Sequence, residues 1–488
     1  MRVRIGAALG VLAMLSACGG GGGGGGSVTG GSPTPAPVPT ATPTPTPTTT
    51  AGCSLRERQD WALAQLREWY LFPETLPTSP NPASFSTVDD YIDSLTATAR
   101  AQRKDRFFTY LTSIKEENAY NNSGATAGFG TRFALDQTGR RLFIVESFEG
   151  APALDAGIDR GTEILQIGTS TSNLRSVSAI VDAEGTAGLN AALGPDTPGT
   201  ARAFQFRTID GTTKTATVTK TDFALLPVST RYGAKVLTDG GKKVGYINLR
   251  TFINSAETPL KNAFASFRAQ GINEFIIDFR YNGGGLIRIA DLMGDLLGGG
   301  KSTSQVFSYT TFRPEKSAEN EVRYFAPTEN SVTPTKIAFI GTGRSASASE
   351  LVINAFVPYL GNNMALIGTN TYGKPVGQIG VDRPACDDRF RIVALAVQNS
   401  ARSAAYYDGL AATVPNSCQA SDDISYPLGD NREQSVARAL DFLAGRTCSR
   451  ISASTGSSAQ RETVRFDERT LLQPARPSTA QREVPGLF

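Results

Sequence analysis

Between Lys243 and Thr369 two apolar patterns alternate. "KVGYINLRTF", "INEFIIDFR", "TKIAFIG" and "MALIGT" are short runs rich in β-branched and aromatic residues, which read as strands. Between them, "ETPLKNAFASFRAQG", "LIRIADLMGDLL" and "ASELVINAFVPYL" repeat apolar residues at helical spacing. Strands separated by whole helices pair as parallel neighbours through crossovers. This pattern constrains the chain most tightly: it predicts an α/β domain over residues 223–448, with sites at the carboxyl ends of the strands. Two such ends stand out, "DFRYNGGG" at 278–285 and "GTGRSASASE" at 341–350.

The chain contains no histidine. Ser-His-Asp triads, Cys-His dyads and HExxH zinc sites are therefore excluded, and acid–base chemistry falls to Lys, Asp, Glu, Tyr or Cys. Ser349 stands at the strand–helix junction, where unpaired backbone amides favour an anion, although serine there is also an ordinary N-cap. Ser345 and Ser347 are expected to shape the turn through hydroxyl–backbone bonds. Lys374, in "TNTYGKPVGQ", follows the next strand of the same sheet and is placed to act as base if burial lowers its pKa. The glycines of "DFRYNGGG" leave backbone N–H groups open to a substrate carbonyl, as an oxyanion hole requires; a tight turn needs the same residues.

The rest of the 488 residues suggests further domains. "MRVRIGAALGVLAMLSAC" reads as a secretory signal (1–17), and "LSAC" resembles a bacterial lipobox, with Cys18 the lipidated residue. By resemblance to proteobacterial lipoproteins, Gly19 in place of aspartate implies an outer-membrane lipoprotein of the cell envelope. A Gly/Pro/Thr-rich linker (18–52) follows. Residues 53–122 are patterned as helices. Residues 123–222 alternate as strands, and "GAPALDAGIDRGTEILQIG" resembles a PDZ domain, with Thr162 where that family usually has aspartate. "GFGT", Gly128, Phe129, Gly130 and Thr131, is the candidate loop for a peptide carboxylate. Cys53, Cys386, Cys418 and Cys448 suggest disulfides in an exported chain. Cys386 with Cys418 is the favoured pair, leaving Cys53 with Cys448; four free thiols are the alternative. Net charge is +3, and about +1 without Arg2 and Arg4, which gives no electrostatic case for nucleic acid. Residues 449–488 look like a polar tail.

Taken together, "DFRYNGGG", "SASASE" and "YGKPVGQ" resemble the C-terminal processing, or tail-specific, serine-lysine proteases of peptidase family S41. Pro375 stands where that pattern has glycine. The resemblance implies a multi-domain α+β protein: a helical N-terminal segment, a PDZ-like β-rich domain and a ClpP/crotonase-like α/β catalytic domain. It implies Ser349 as nucleophile, Lys374 as base, Gln378 orienting the lysine, Gly284 and Gly285 as oxyanion glycines, and no metal or cofactor. Expected partners are polypeptides with accessible C-termini and, through the lipid, a membrane. The alternative is an inactive peptide-binding lipoprotein with a protease-like fold.

Overall fold

The computed structural model describes residues 50–136, 138, 140–452 and 469–488. The expected leader, Cys18 and nearly all of the expected linker lie outside the described residues.

The α/β pattern becomes a six-stranded sheet ordered Ala234–Asp239, Lys242–Asn248, Glu274–Asp278, Lys336–Gly341, Met364–Gly368 and Asn416–Gln419. The first pair is antiparallel and the other neighbours are parallel. Successive side chains on a strand face opposite sides, so each strand feeds two cores. Phe275, Ile277, Ile337, Phe339 and Leu366 pack with helices Glu257–Ala269, Ile287–Leu297 and Ala348–Leu360. Ile276, Ala338, Ile340, Ala365 and Ile367 pack with helix Gln434–Leu443. The continuous apolar runs are thereby explained: both faces are covered.

The helical segment is not a separate module. Helices Leu55–Trp69 and Val88–Leu95, with Tyr70 just after the first, bury Leu66, Tyr70, Tyr91 and Leu95 against Phe390, Ile392 and Val393 of a second, five-stranded sheet. Strand Tyr110–Ser113 joins that sheet antiparallel to Asp388–Gln398. The loop carrying Lys374 leads into strand Val376–Arg383, which also pairs with Asp388–Gln398. Residues just before Tyr110 are consequently held beside the lysine.

Residues 125–224 form most of a β-rich body around a seven-stranded sheet with helix Val177–Leu193 packed against it. Its edge strand is Arg469–Leu471, antiparallel to Thr131–Asp136. The expected polar tail therefore needs correcting over residues 469–488. Leu471, Leu472, Val484, Leu487 and Phe488 are buried, and their apolar side chains give this stretch a core to join.

The disulfide pairing also differs from expectation. The bonds are Cys53–Cys386 and Cys418–Cys448, with Cα–Cα distances of 5.5 and 5.4 Å. Cys418 lies on a strand of the central sheet, next to the segment after helix Gln434–Leu443, whereas Cys386 follows strand Val376–Arg383 in the second sheet. Cys386 meets the start of the folded body instead. Flanking one strand-like stretch did not predict the pairing, because Cys386 sits between strands of the second sheet while Cys418 lies on the central one.

Candidate active site

The two glycine- and serine-rich turns meet at the carboxyl ends of strands Glu274–Asp278 and Lys336–Gly341. Asn282 binds them together. Its carbonyl accepts from Ala346 N–H at 3.0 Å and from Ser349 Oγ at 3.2 Å. Its side chain donates to Leu249 O at 2.7 Å and accepts from Gly284 N–H at 2.9 Å. Gly284 has φ +117°, and a Cβ there would lie 2.8 Å from Ser347 Cβ, so only glycine lets the turns pack this closely. Behind the loop, the buried Arg280 guanidinium pairs with Asp278 at 2.9 Å, Glu433 at 2.8 Å and Asp422 at 3.1 Å. Burial opposes its charge, but the three carboxylates hold its pKa well above the usual value.

The three serines are not equivalent. Ser345 is fully buried; its hydroxyl donates to Phe279 O at 2.8 Å and accepts from Thr342 N–H at 2.9 Å. Ser349 is also fully buried, bonded to Asn282 O, and does not line the cleft. Ser347 is only half-buried and lines the cleft together with Lys374, Gln378, Gly283 and Gly285. Its φ of 54° and ψ of −113° are strained for a residue with a side chain. The expectation for Ser349 is thus corrected: a hydroxyl sealed beneath the turn and already donating to a carbonyl is not presented to a substrate. The signal was its position at a helix start, but the first helical residue is Ala348, so Ser349 already points into the packed side.

Lys374 is half-buried, and its Nζ donates to Gln378 Oε1 at 2.8 Å and sits 4.8 Å from the Phe108 ring centroid. Gln378 Nε2 in turn donates to Phe108 O. Burial lowers the Lys374 pKa to about 8; Asp105 and Glu483 pull it back up, while Arg482 and Arg391 push it down. Phe108 and Asp105 come from the segment patterned as helices and precede strand Tyr110–Ser113, whose pairing with the distant strand Asp388–Gln398 leaves no local signature.

Glu350 joins the two sides of the cleft. Its buried carboxylate accepts from Ser347 N–H at 3.1 Å, Thr371 Oγ1 at 2.6 Å, Gly373 N–H at 2.7 Å and Lys374 N–H at 2.7 Å. Burial raises its pKa, opposed by these donors. One side chain therefore fixes the backbones of both Ser347 and Lys374.

The expected oxyanion pair is only partly placed for that role. Gly284 N–H is taken by Asn282 Oδ1, whereas Gly283 N–H faces the cleft and donates to the carbonyl of Glu483 at 2.8 Å. Gly285 lines the cleft. The cavity, about 350 Å³, is also lined by Gln473, Pro474, Arg476, Pro477, Arg482 and Glu483. Glu483 accepts from Thr251 Oγ1 at 3.1 Å, and burial pushes its pKa up to about 7. In the β-rich body, Gly130 and Thr131 amides donate to Phe488 O at 2.9 and 3.4 Å.

Residues 243–398 match peptidase family S41, and residues 57–110 match the peptidase S41 N-terminal domain. The carboxyl-terminal-processing protease of Picosynechococcus sp. is 27% identical over 259 residues, 52% of this chain and 56% of that protein. The carboxy-terminal processing protease CtpA of Bacillus subtilis is 26% identical over 272 residues, 55% of this chain and 52% of that protein. The chain spans about half the length of the curated relatives it matches. The crystal structure of an S41 protease candidate from Bacteroides fragilis aligns with a TM-score of 0.59 at 21% identity, over 79% of this chain and 97% of that one, and shares its fold. The two matched segments and these relatives tie residues 57–110 and 243–398 of the chain to peptidase family S41.

Proposed function

We propose that the chain is a serine peptidase in which Ser347 is the nucleophile, Lys374 the general base and Gln378 the residue that orients the lysine. The observation that carries this reading is the shared cleft: of the three serines only Ser347 lines it, in a strained turn, across from a lysine whose pKa is lowered to about 8. Neutral Lys374 accepts the Ser347 proton as Oγ bonds to a peptide carbonyl carbon. The carbonyl oxygen gains charge facing the amides of Gly283 and Ala348, the latter the first residue of a helix and without an intrahelical acceptor for its N–H. Lys374 then returns the proton to the leaving amine as the C–N bond breaks. Water, deprotonated by Lys374, attacks the acyl carbon, and the C–Oγ bond breaks with the proton going back to Ser347.

Polypeptides are the substrate class this chemistry suits. The β-rich body, read as a PDZ-like module, receives an extended peptide on strand Thr131–Asp136 with its terminal oxygen toward Gly128–Thr131. Lipidation of Cys18 would tether the body to a bacterial membrane, with the linker as spacer.

The test is labelling with a serine-reactive phosphonate, read by mass spectrometry, alongside hydrolysis of an unfolded polypeptide. Label on Ser347 and hydrolysis that disappears in Ser347→Ala support the reading. A failure to label Ser347 with no hydrolysis would favour a binding protein, and label on Ser349 would restore the other serine.

A further inference from the structure

The stretch 469–488 behaves like a ligand bound to its own chain. Arg469–Leu471 runs antiparallel to Ala134–Asp136, and Leu472 N–H continues the ladder to Phe133 O at 2.9 Å. Residues 473–485 then leave the strand, and residues 486–488 return to it in the same direction. Phe133 N–H donates to Gly486 O at 2.9 Å, Leu487 sits opposite Arg132, and Phe488 N–H donates to Thr131 O at 3.0 Å. The run ends with Phe488 O facing the Gly130 and Thr131 amides. Gly128 keeps that place open: a Cβ there would lie 2.6 Å from the Phe488 carbonyl carbon. The Phe488 side chain is 2% exposed and packs with Phe129, Phe133, Ile144, Ile180 and Leu189.

The excursion lies over the cleft. Its residues wall the cavity that holds Ser347 and Lys374, the Glu483 carbonyl occupies the Gly283 amide, and Pro485 O is held by Arg132 Nη1 at 2.8 Å. A substrate strand on Thr131–Asp136 and a carbonyl at Gly283 would need the places these residues fill.

We propose that residues 469–488 are an internal competitor for the peptide groove, and that they reveal its ligand class: an extended peptide with an aromatic residue seated at the Gly130 and Thr131 amides and small and aliphatic residues before it, as in Gly486-Leu487-Phe488. A free carboxylate at the terminal position is the strongest acceptor for the two amides. This deepens the reading of residues 123–222 as a peptide-binding module and rests on it. Substrate binds in proportion to the fraction of molecules whose groove is vacated.

The experiment uses the full chain and a fluorescent peptide of residues 479–488, TAQREVPGLF, with a free C-terminal carboxylate or an amide. Phe488→Asp, which cannot seat in the apolar pocket, should bind the free-acid peptide about tenfold more tightly than the unaltered chain. The amidated peptide should bind it about tenfold more weakly than the free acid. Equal affinity of the two chains, or no binding to Phe488→Asp, overturns the competitor; equal binding of the two peptides overturns the carboxylate preference. Because Phe488 is part of a core, a second measurement uses the unaltered chain: excess free-acid peptide should speed hydrogen exchange at the amides of Leu472 and Phe488, and unchanged protection overturns the proposal. Peptide affinity is read without turnover. Loss of competition with Ser347-dependent hydrolysis intact therefore overturns this inference alone, and intact competition without hydrolysis overturns the Ser347–Lys374 chemistry alone.

Discussion

The cleft has two unlike sides. One is built from strand ends of the central sheet: Ser347, Lys374 and the glycine loop are tied by Glu350, Asn282 and, behind them, the Arg280 cluster. The other is residues 473–485, a detour between two short runs on the edge of the β-rich sheet. The first side is over-determined, because each reacting backbone is fixed by buried groups that have no other place to go. The second contains the short helix Thr479–Glu483 and is tied down by Arg476 to Asp90 and Asp93 and by Glu483 to Gly283 and Thr251, while the runs that flank it pair with the sheet edge through main-chain bonds of a kind that another extended peptide can supply. A site with one rigid wall and one exchangeable wall keeps its chemistry aligned while its occupant changes.

The sharpest way to break this contrast is within the serines of the rigid side. Ser347→Ala should lower kcat/KM by about 10⁴-fold or more, with an unchanged circular dichroism spectrum, while Ser349→Ala retains most activity. Reversed outcomes would return the nucleophile to the buried position. Lys374→Ala should cost about 10²–10⁴-fold, the range for a lost general base. Glu350→Gln tests the tie itself. An amide presents N–H where the loops also present N–H, so a cost of about 1–3 kcal/mol falls on the alignment of Ser347 and Lys374 and appears as a loss of about 10- to 100-fold in kcat/KM. Full activity would mean the two loops are held without it.

The pH profile is a smaller effect. Lys374 is depressed to about 8, so the neutral base is dominant above that value and lost below it. The rate constant kcat/KM should fall about fivefold from pH 8 to pH 7 and level off above pH 9. A flat profile between pH 6 and 9 would remove the lysine from the proton transfer. Smallest in activity is Cys53→Ser. It should cost about 2–4 kcal/mol in chemical denaturation and leave kcat/KM nearly unchanged, because the Cys53–Cys386 bond closes a long loop away from the cleft.

Much of the rigid side was legible in the chain. The strand runs, the glycines after Asp278, the serine triplet and the lysine one strand later are local patterns, and the missing histidine directs attention to lysine. The choice among the serines was not legible. It depends on which serine lines the cleft and which donates to Asn282 O, and alternation in a turn gives no phase until the turn is packed. Phe108, Asp105 and Glu483 were missed for a related reason: each reaches the site through pairing with a distant strand or loop.

The sequence by itself determined the parallel α/β sheet, the two strand ends that meet at the cleft and the exclusion of histidine-based mechanisms, because hydrophobic periodicity and residue type act over a few neighbours. The tertiary structure decided which serine is presented, which cysteines meet and where residues 469–488 lie. Those outcomes depend on desolvation and hydrogen bonding between segments far apart in the chain, and such contacts exist only once the segments are folded against one another.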